Sequence, residues 1–209
     1  AIEPFWGVKV GDMKLILKSI KNDQKLAMQL FETGNSDAMY LAGLVANGAK
    51  MSKDELNSWA AKASWYMISE YTVPWVASES PLGYELALEW IDSDKETVAA
   101  AGWCTLSAIA TIKPDSDLNL EQYVQLLNRV KTTIHQEKNR VRHSMNSFVI
   151  AVGSYILPLN TLANEVAKEI GTVQVNLGNT ACKVASAPEY LKKMEVSGKL
   201  GQKRKTVKC

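Results

Sequence analysis

Residues 64–81, reading SWYMISEYTVPWVASESP, place Trp65, Tyr66, Tyr71 and Trp75 beside Ser69, Glu70 and Glu79. A carboxyl group next to aromatic rings can stabilise positive charge developing on a sugar, as paired acids do in glycosidic cleavage. Glu70 and Glu79 are the candidate acids on that reading. Pro74 lacks an N–H and clashes with the preceding turn, so it is expected to bend the run and turn both kinds of side chain toward one cleft. The plainer use of such rings is to fill a helical core.

A second constellation is cationic: Lys131, His135, Lys138, Arg140, Arg142 and His143 fall around a junction between two helical segments. Arginines beside a helix N-terminus can hold phosphates, although a solvated corner would carry the same residues. Trp65, Trp75, Trp90 and Trp103 offer faces on which bases can stack, or core material. The net charge of +2 conceals a gradient, with balances of +1 over residues 1–50, −6 over 51–100 and +7 over 101–209. A basic C-terminal half is compatible with a polyanionic partner.

Other chemistries lack their residues. The sequence has no Gly-rich phosphate loop, no HExxH, no CxxC and no nucleophile elbow. Cys104, Cys182 and Cys209 are far apart and odd in number, so reduced thiols in a cytoplasmic protein are expected. Neither a metal nor another cofactor is expected. No apolar run reaches the roughly 20 residues that cross a bilayer, and no membrane partner is expected. The start, AIEPFWGVK, has no signal-peptide pattern, and its lack of Met is read as trimming.

Almost every segment that must position these groups has helical period. Met13, Ile16, Leu17 and Ile20 mark residues 12–21 as an amphipathic helix. Asp23 and Asn35 or Ser36 are N-cap candidates, Gly34 is a stop, and Ser52 with Glu55 fits a capping box. Ser93 with Glu96 fits a second box, opening a helix over 97–112. Further helices are expected over 82–91, 120–135, 139–156, 162–170 and 189–194. Only residues 172–175 suggest a strand. The final KLGQKRKTVKC holds five basic residues and no acid, and is expected to be mobile or laid on the surface.

One spacing recurs: Met39–Ala42–Gly43–Ala46, Val98–Ala101–Gly102–Thr105 and Val141–Ser144–Met145–Phe148. Each run puts small residues where another helix can come close. Helix pairs repeating at roughly 40 residues predict an all-α fold of HEAT-like or ARM-type repeats stacked as an α-α superhelix, a solenoid, with a plain bundle as alternative. Residues 1–170 are expected to form this domain and 171–209 an extension with the basic tail.

The segments EPFWGVKVGDMKLILKSIK, ETGNSDAMYLAGLVAN and WIDSDKETVAAAGWCTL resemble the HEAT-like DNA alkylation repair proteins, the AlkD-type DNA glycosylases. The resemblance covers residues 3–170. It implies a metal-independent protein that grips duplex DNA and releases cationic N-alkylated purines such as 3-methyladenine and 7-methylguanine; a monomer is expected. Such a protein needs to stabilise an oxocarbenium-like sugar and a water rather than a fully flipped base. The resemblance also implies a further helix ahead of residue 1.

The sequence departs from the family's Trp-Asp-Thr-Val-Asp-like run, whose best match is Glu70-Tyr71-Thr72-Val73-Pro74. The implied catalytic Asp falls on Pro74 and the Trp on Glu70. An implied arginine falls among Ala99 and Ala100, and a further tryptophan near Ser154. Glu70 and Glu79 are then the remaining candidate catalytic acids, with Tyr71, Trp75 and Trp103 lining the lesion cleft and Lys138, Arg140 and Arg142 on DNA phosphates. The competing expectation is a catalytically inactive helical-repeat scaffold that binds a protein or a structured nucleic acid.

Overall fold

The computed structural model describes residues 1–178 and 182–208; Cys209 and part of the GNTACKV segment lie outside the described residues. Among the described residues there are eleven α-helices and no strand. They form two compact units, residues 1–105 with Lys208, and residues 106–207.

The first unit contains α1 (Val10–Ile20), α2 (Gln24–Glu32), α3 (Ser36–Val45), α4 (Lys53–Lys62), α5 (Val73–Glu79), α6 (Gly83–Trp90) and the start of α7 (Glu96–Ile112). Its helix starts follow the expected chemistry. The Asp23 carboxylate accepts from Leu26 N at 3.0 Å, and the Asn35 side chain accepts from Asp37 N at 3.0 Å and Ala38 N at 3.3 Å. Ser52 and Glu55 close a reciprocal capping box, worth about 1 kcal/mol for the helix start. The box expected at Ser93 does not form. Its hydroxyl accepts from Lys95 N at 3.1 Å, making a local turn, and α7 begins at Glu96 itself.

Every residue of α3 is buried, and it packs against α1, α2 and α5. The recurrent small residues make this possible. A Cβ on Gly43 would lie 2.6 Å from Thr72 Cγ2, and one on Gly102 would lie 2.8 Å from Ile91 Cγ2 and 2.9 Å from Ala87 O. In the third run the corresponding residue is Met145, itself fully buried, so the spacing persists without the close approach. Phe31 of α2 stacks on Trp59 of α4 with centroids 3.9 Å apart, which makes these rings core.

The second unit holds α8 (Leu120–Thr133), α9 (Asn139–Tyr155), α10 (Asn160–Ile170) and α11 (Ala187–Val196). Tyr123, Leu126, Leu127 and Val130 are the buried stripe of α8 that their spacing predicts. Tyr123 stacks on Phe148 of α9 at 5.8 Å and donates its hydroxyl to Leu106 O at 3.0 Å. Pro158 separates α9 from α10, which meet at 115°. Among the described residues no single helix is long and apolar enough to cross a membrane.

Residues 172–175 are not a strand, and among the described residues no second strand is present to accept ladder bonds from them. The following segment is held by side-chain amides instead. Asn139 Nδ2 donates to Asn176 O at 2.8 Å, and Asn176 N donates to Asn139 Oδ1 at 2.7 Å. Beyond it, α11 packs on α9 and α10. The basic tail is laid on the surface. Lys203 Nζ donates to Ala110 O at 2.8 Å and pairs with Asp115 at 2.8 Å, while Arg204 N donates to Thr111 O at 2.9 Å. Cys104 and Cys182 are both free thiols.

Candidate nucleic-acid interface

Pro74 shapes the mid-chain segment by local backbone chemistry. In an uninterrupted α-helix its ring would clash with the carbonyl of Glu70 and leave that acceptor without a donor. The chain avoids this by widening into a π turn over Ile68–Thr72, closed by Val73 N donating to Ile68 O. Pro74 then sits in the first turn of α5, where no intrahelical N–H is required.

That geometry buries Glu70 and Trp75 and leaves Trp65 and Glu79 half-buried. Glu70 is 6% exposed and Trp75 3%, with the Trp75 ring near-perpendicular to Tyr40 at 5.2 Å and to Tyr71 at 6.2 Å. Tyr71 remains 38% exposed and Tyr66 40%, so these two tyrosines have the wet faces of the group. Trp103 is fully buried and presents no face to a ligand in this structure. Trp90 is likewise buried, its indole N–H donated to Asn57 Oδ1 at 2.8 Å.

Glu79 stands at the end of α5 and is already engaged. Its Oε2 accepts from Gly48 N at 3.1 Å and from Lys208 Nζ at 2.9 Å, and the same ammonium donates to Ala46 O at 2.6 Å. The tail lysine thus satisfies a carboxylate and the carbonyl that follows α3. Nothing in the local sequence around Glu79 announced a partner so far along the chain.

The positions where the family pattern implied function are packed. Pro74 is buried, Ala99 and Ala100 are buried methyls on α7, and Ser154 is buried on α9 with its carbonyl accepting from Gly201 N at 2.9 Å.

The basic corner of the second unit is built differently. Lys131 pairs with Glu169 at 2.8 Å, and His135 Nε2 donates to Ile170 O at 2.9 Å, which anchors the end of α8. Lys138 immediately precedes α9 and is exposed, and no side chain caps the N–H groups of that helix start. Arg140 and Arg142 follow within the first turn, half-buried; the Arg142 Nε is buried with no hydrogen-bond partner among the described residues. Guanidinium and ammonium groups near the positive end of a helix have the chemistry that phosphate oxygens take. Lys138, Arg140 and Arg142 all lie at the start of α9, with Arg140 and Arg142, two apart, on different faces of the helix. Among the described residues, no group of His, Cys, Asp and Glu is arranged to hold a metal ion.

One device was missed in the sequence. Asp37 Oδ2 accepts three consecutive backbone donors, Trp6 N at 2.7 Å, Gly7 N at 2.7 Å and Val8 N at 3.2 Å. Gly7 has φ of +76°, the left-handed conformation that lets successive N–H groups converge on one oxygen. The available signal was an aromatic-Gly-Val turn ahead of a helix carrying an acid in its first turn.

Fold and helix order define an all-α protein of the HEAT-like repeat class. A solved structure from a family related to the HEAT-like repeat DNA glycosylases, described as having affinity for branched DNA structures, matches with a TM-score of 0.91 and 38% identity, covering 100% of this chain and 89% of its own. The model of the DNA alkylation repair enzyme family matches residues 2–160, and the chain belongs to that family. Uncharacterized proteins of Listeria monocytogenes and Listeria innocua are 36% and 34% identical over 192 residues, which is 90% of this chain and 82% of each relative.

Proposed function

We propose that this protein binds DNA through its phosphate backbone, favours branched over linear duplex forms, and does not excise bases. The observation that carries the reading is the likeness, along the whole chain, to a structure whose family has affinity for branched DNA. The buried Pro74, Ala99, Ala100 and Ser154 support the non-excising form, because they stand where the glycosylase pattern implied its carboxylate, arginine and indole. Lys138, Arg140 and Arg142 supply the phosphate contacts.

The test is a mobility-shift titration of a four-way junction and a linear duplex over a range of salt. Junction binding tighter than duplex binding, weakening steeply as salt rises, is the expected result. Absence of binding to either DNA overturns the reading and leaves a protein-binding scaffold.

A second reading, excision of N-alkylated purines, is favoured by one observation: the buried Glu70 lies in the π turn beside the exposed Tyr71. It is tested by release of 3-methyladenine or 7-methylguanine from methylated duplex. Release above the spontaneous rate that disappears in Glu70→Gln would establish it.

A further inference from the structure

Arg204 is held at the far end of α9 from the basic corner. Gly201 N donates to Ser154 O at 2.9 Å, Arg204 N donates to Thr111 O at 2.9 Å, and Lys203 Nζ donates to Ala110 O at 2.8 Å. The Arg204 guanidinium hydrogen-bonds the hydroxyl of Tyr155, the last residue of α9, and Tyr190 of α11 lies near enough to act on the same phenol. Lys193 is three residues on from Tyr190, on the same face of α11, and is exposed. These contacts gather two phenols, a guanidinium and an ammonium at one place in the second unit.

The chemistry of that place says what it takes. From the start of α11 to Lys205 the chain carries six basic residues against two acids, Glu189 and Glu195. Lys203 is neutralised by Asp115, but among the described residues no carboxylate pairs with Arg204 or Lys193. Donating to the Tyr155 oxygen uses part of the guanidinium fork and leaves the phenol O–H available to an acceptor. Burial first, and then the neighbouring Tyr190 phenol, hold the Tyr155 hydroxyl above its ordinary pKa against the opposing pull of Arg204, so it keeps the proton it would donate. Arginine, lysine and tyrosine donors with no carboxylate among them suit the oxygens of a phosphodiester.

Position decides which phosphates these are. Lys138, Arg140 and Arg142 stand at the start of α9, and Tyr155 ends it 17 residues later, about 25 Å away at the helical rise. We propose that Tyr155, Tyr190, Lys193 and Arg204 form a second phosphate site, which takes the backbone of a second arm of a branched DNA while the α8–α9 corner holds the first. The inference deepens the branched-DNA reading and rests on it, and it supplies a source for the preference. A linear duplex on the corner leaves the far end of α9 empty. A branch brings a second arm to that end within one complex, so the second contact adds affinity without a second encounter.

The experiment uses the full chain with two probes, a four-way junction and a linear duplex carrying the sequence of two of its arms, each titrated over a range of salt. Wild type is expected to bind the junction more tightly and with the steeper salt slope. Lys193→Gln with Arg204→Gln should lower the junction slope by about 1.8, at roughly 0.9 per phosphate contact, and leave the duplex slope unchanged. The same pair should weaken junction binding about tenfold and duplex binding not at all. A smaller loss on the junction, about threefold, is expected of Tyr155→Phe, which keeps the ring and removes the hydroxyl. Circular dichroism of these variants should match wild type. Replacing Lys138, Arg140 and Arg142 with glutamine should weaken both DNAs. Unchanged junction binding in the Lys193/Arg204 variant overturns this inference alone. So does an equal loss on junction and duplex, which would put both ends of α9 on one duplex. If wild type binds neither DNA, both readings fall.

Discussion

The segment from the π turn through α5 and the corner between α8 and α9 carry the two richest sets of functional residue types, and the fold treats them in opposite ways. In the first, Glu70 and Trp75 are buried, and Glu79 is matched by Lys208. In the second, Lys138, Arg140 and Arg142 lie at an uncapped helix start, exposed or half-buried. Aromatic and acidic residues placed on the inner faces of packed helices become architecture. A long basic side chain can bury its stem and still bring its charge to water. The lesson is that residue type nominates a site and burial decides it.

Truncating the buried ring tests the architectural half most severely. Trp103→Ala should destabilise the protein by about 3–5 kcal/mol in urea denaturation, while the molecules that remain folded keep their affinity for DNA. A variant that stayed fully stable and lost binding would break the comparison. Next in size, Asp37→Ala should cost about 3 kcal/mol, because one buried oxygen serves three backbone donors that would be left without it. The same change should free residues 1–8, which amide hydrogen exchange would register at Trp6, Gly7 and Val8.

The ion pair at the end of α5 is a smaller matter. Lys208→Met and Glu79→Gln, taken singly and together, should reveal a coupling of about 1 kcal/mol in a double-mutant cycle, since both side chains are partly shielded from water. Smallest in stability is the basic corner. Replacing Lys138, Arg140 and Arg142 together with glutamine should shift the folding free energy by only about 0.5 kcal/mol per site. It should nevertheless reduce the salt slope of DNA binding by about 2.7, at roughly 0.9 per phosphate contact. A large loss of stability with an unchanged slope would move these residues into the architectural class.

Much of the fold was legible before any coordinates. Periodicity marked the buried stripe of α8, the caps at Asp23, Asn35 and Ser52 marked three helix starts, and the small-residue spacing marked the close approaches at Gly43 and Gly102. These features depend on residues within a few positions of one another, where helix geometry alone relates side chains. The misreadings have equally local causes. Ser93 and Glu96 satisfy the box spacing, but the serine hydroxyl turns to Lys95 N. Residues 172–175 have strand-like composition without any partner for a ladder.

The candidate site was legible only in part. The placement of Lys138, Arg140 and Arg142 at one helix start follows from their sequence positions. The fates of Trp103 and Glu79 do not follow from neighbours in sequence. The chain's own order of residues determined an all-α repeat protein, its helix boundaries and the basic corner, because helix formation and capping are short-range. Only tertiary structure decided that Trp103 is core, that Lys208 reaches Glu79, and that Asp37 holds the turn at Trp6. Burial and pairing between distant residues depend on which helix faces meet, and that is a property of the packed chain.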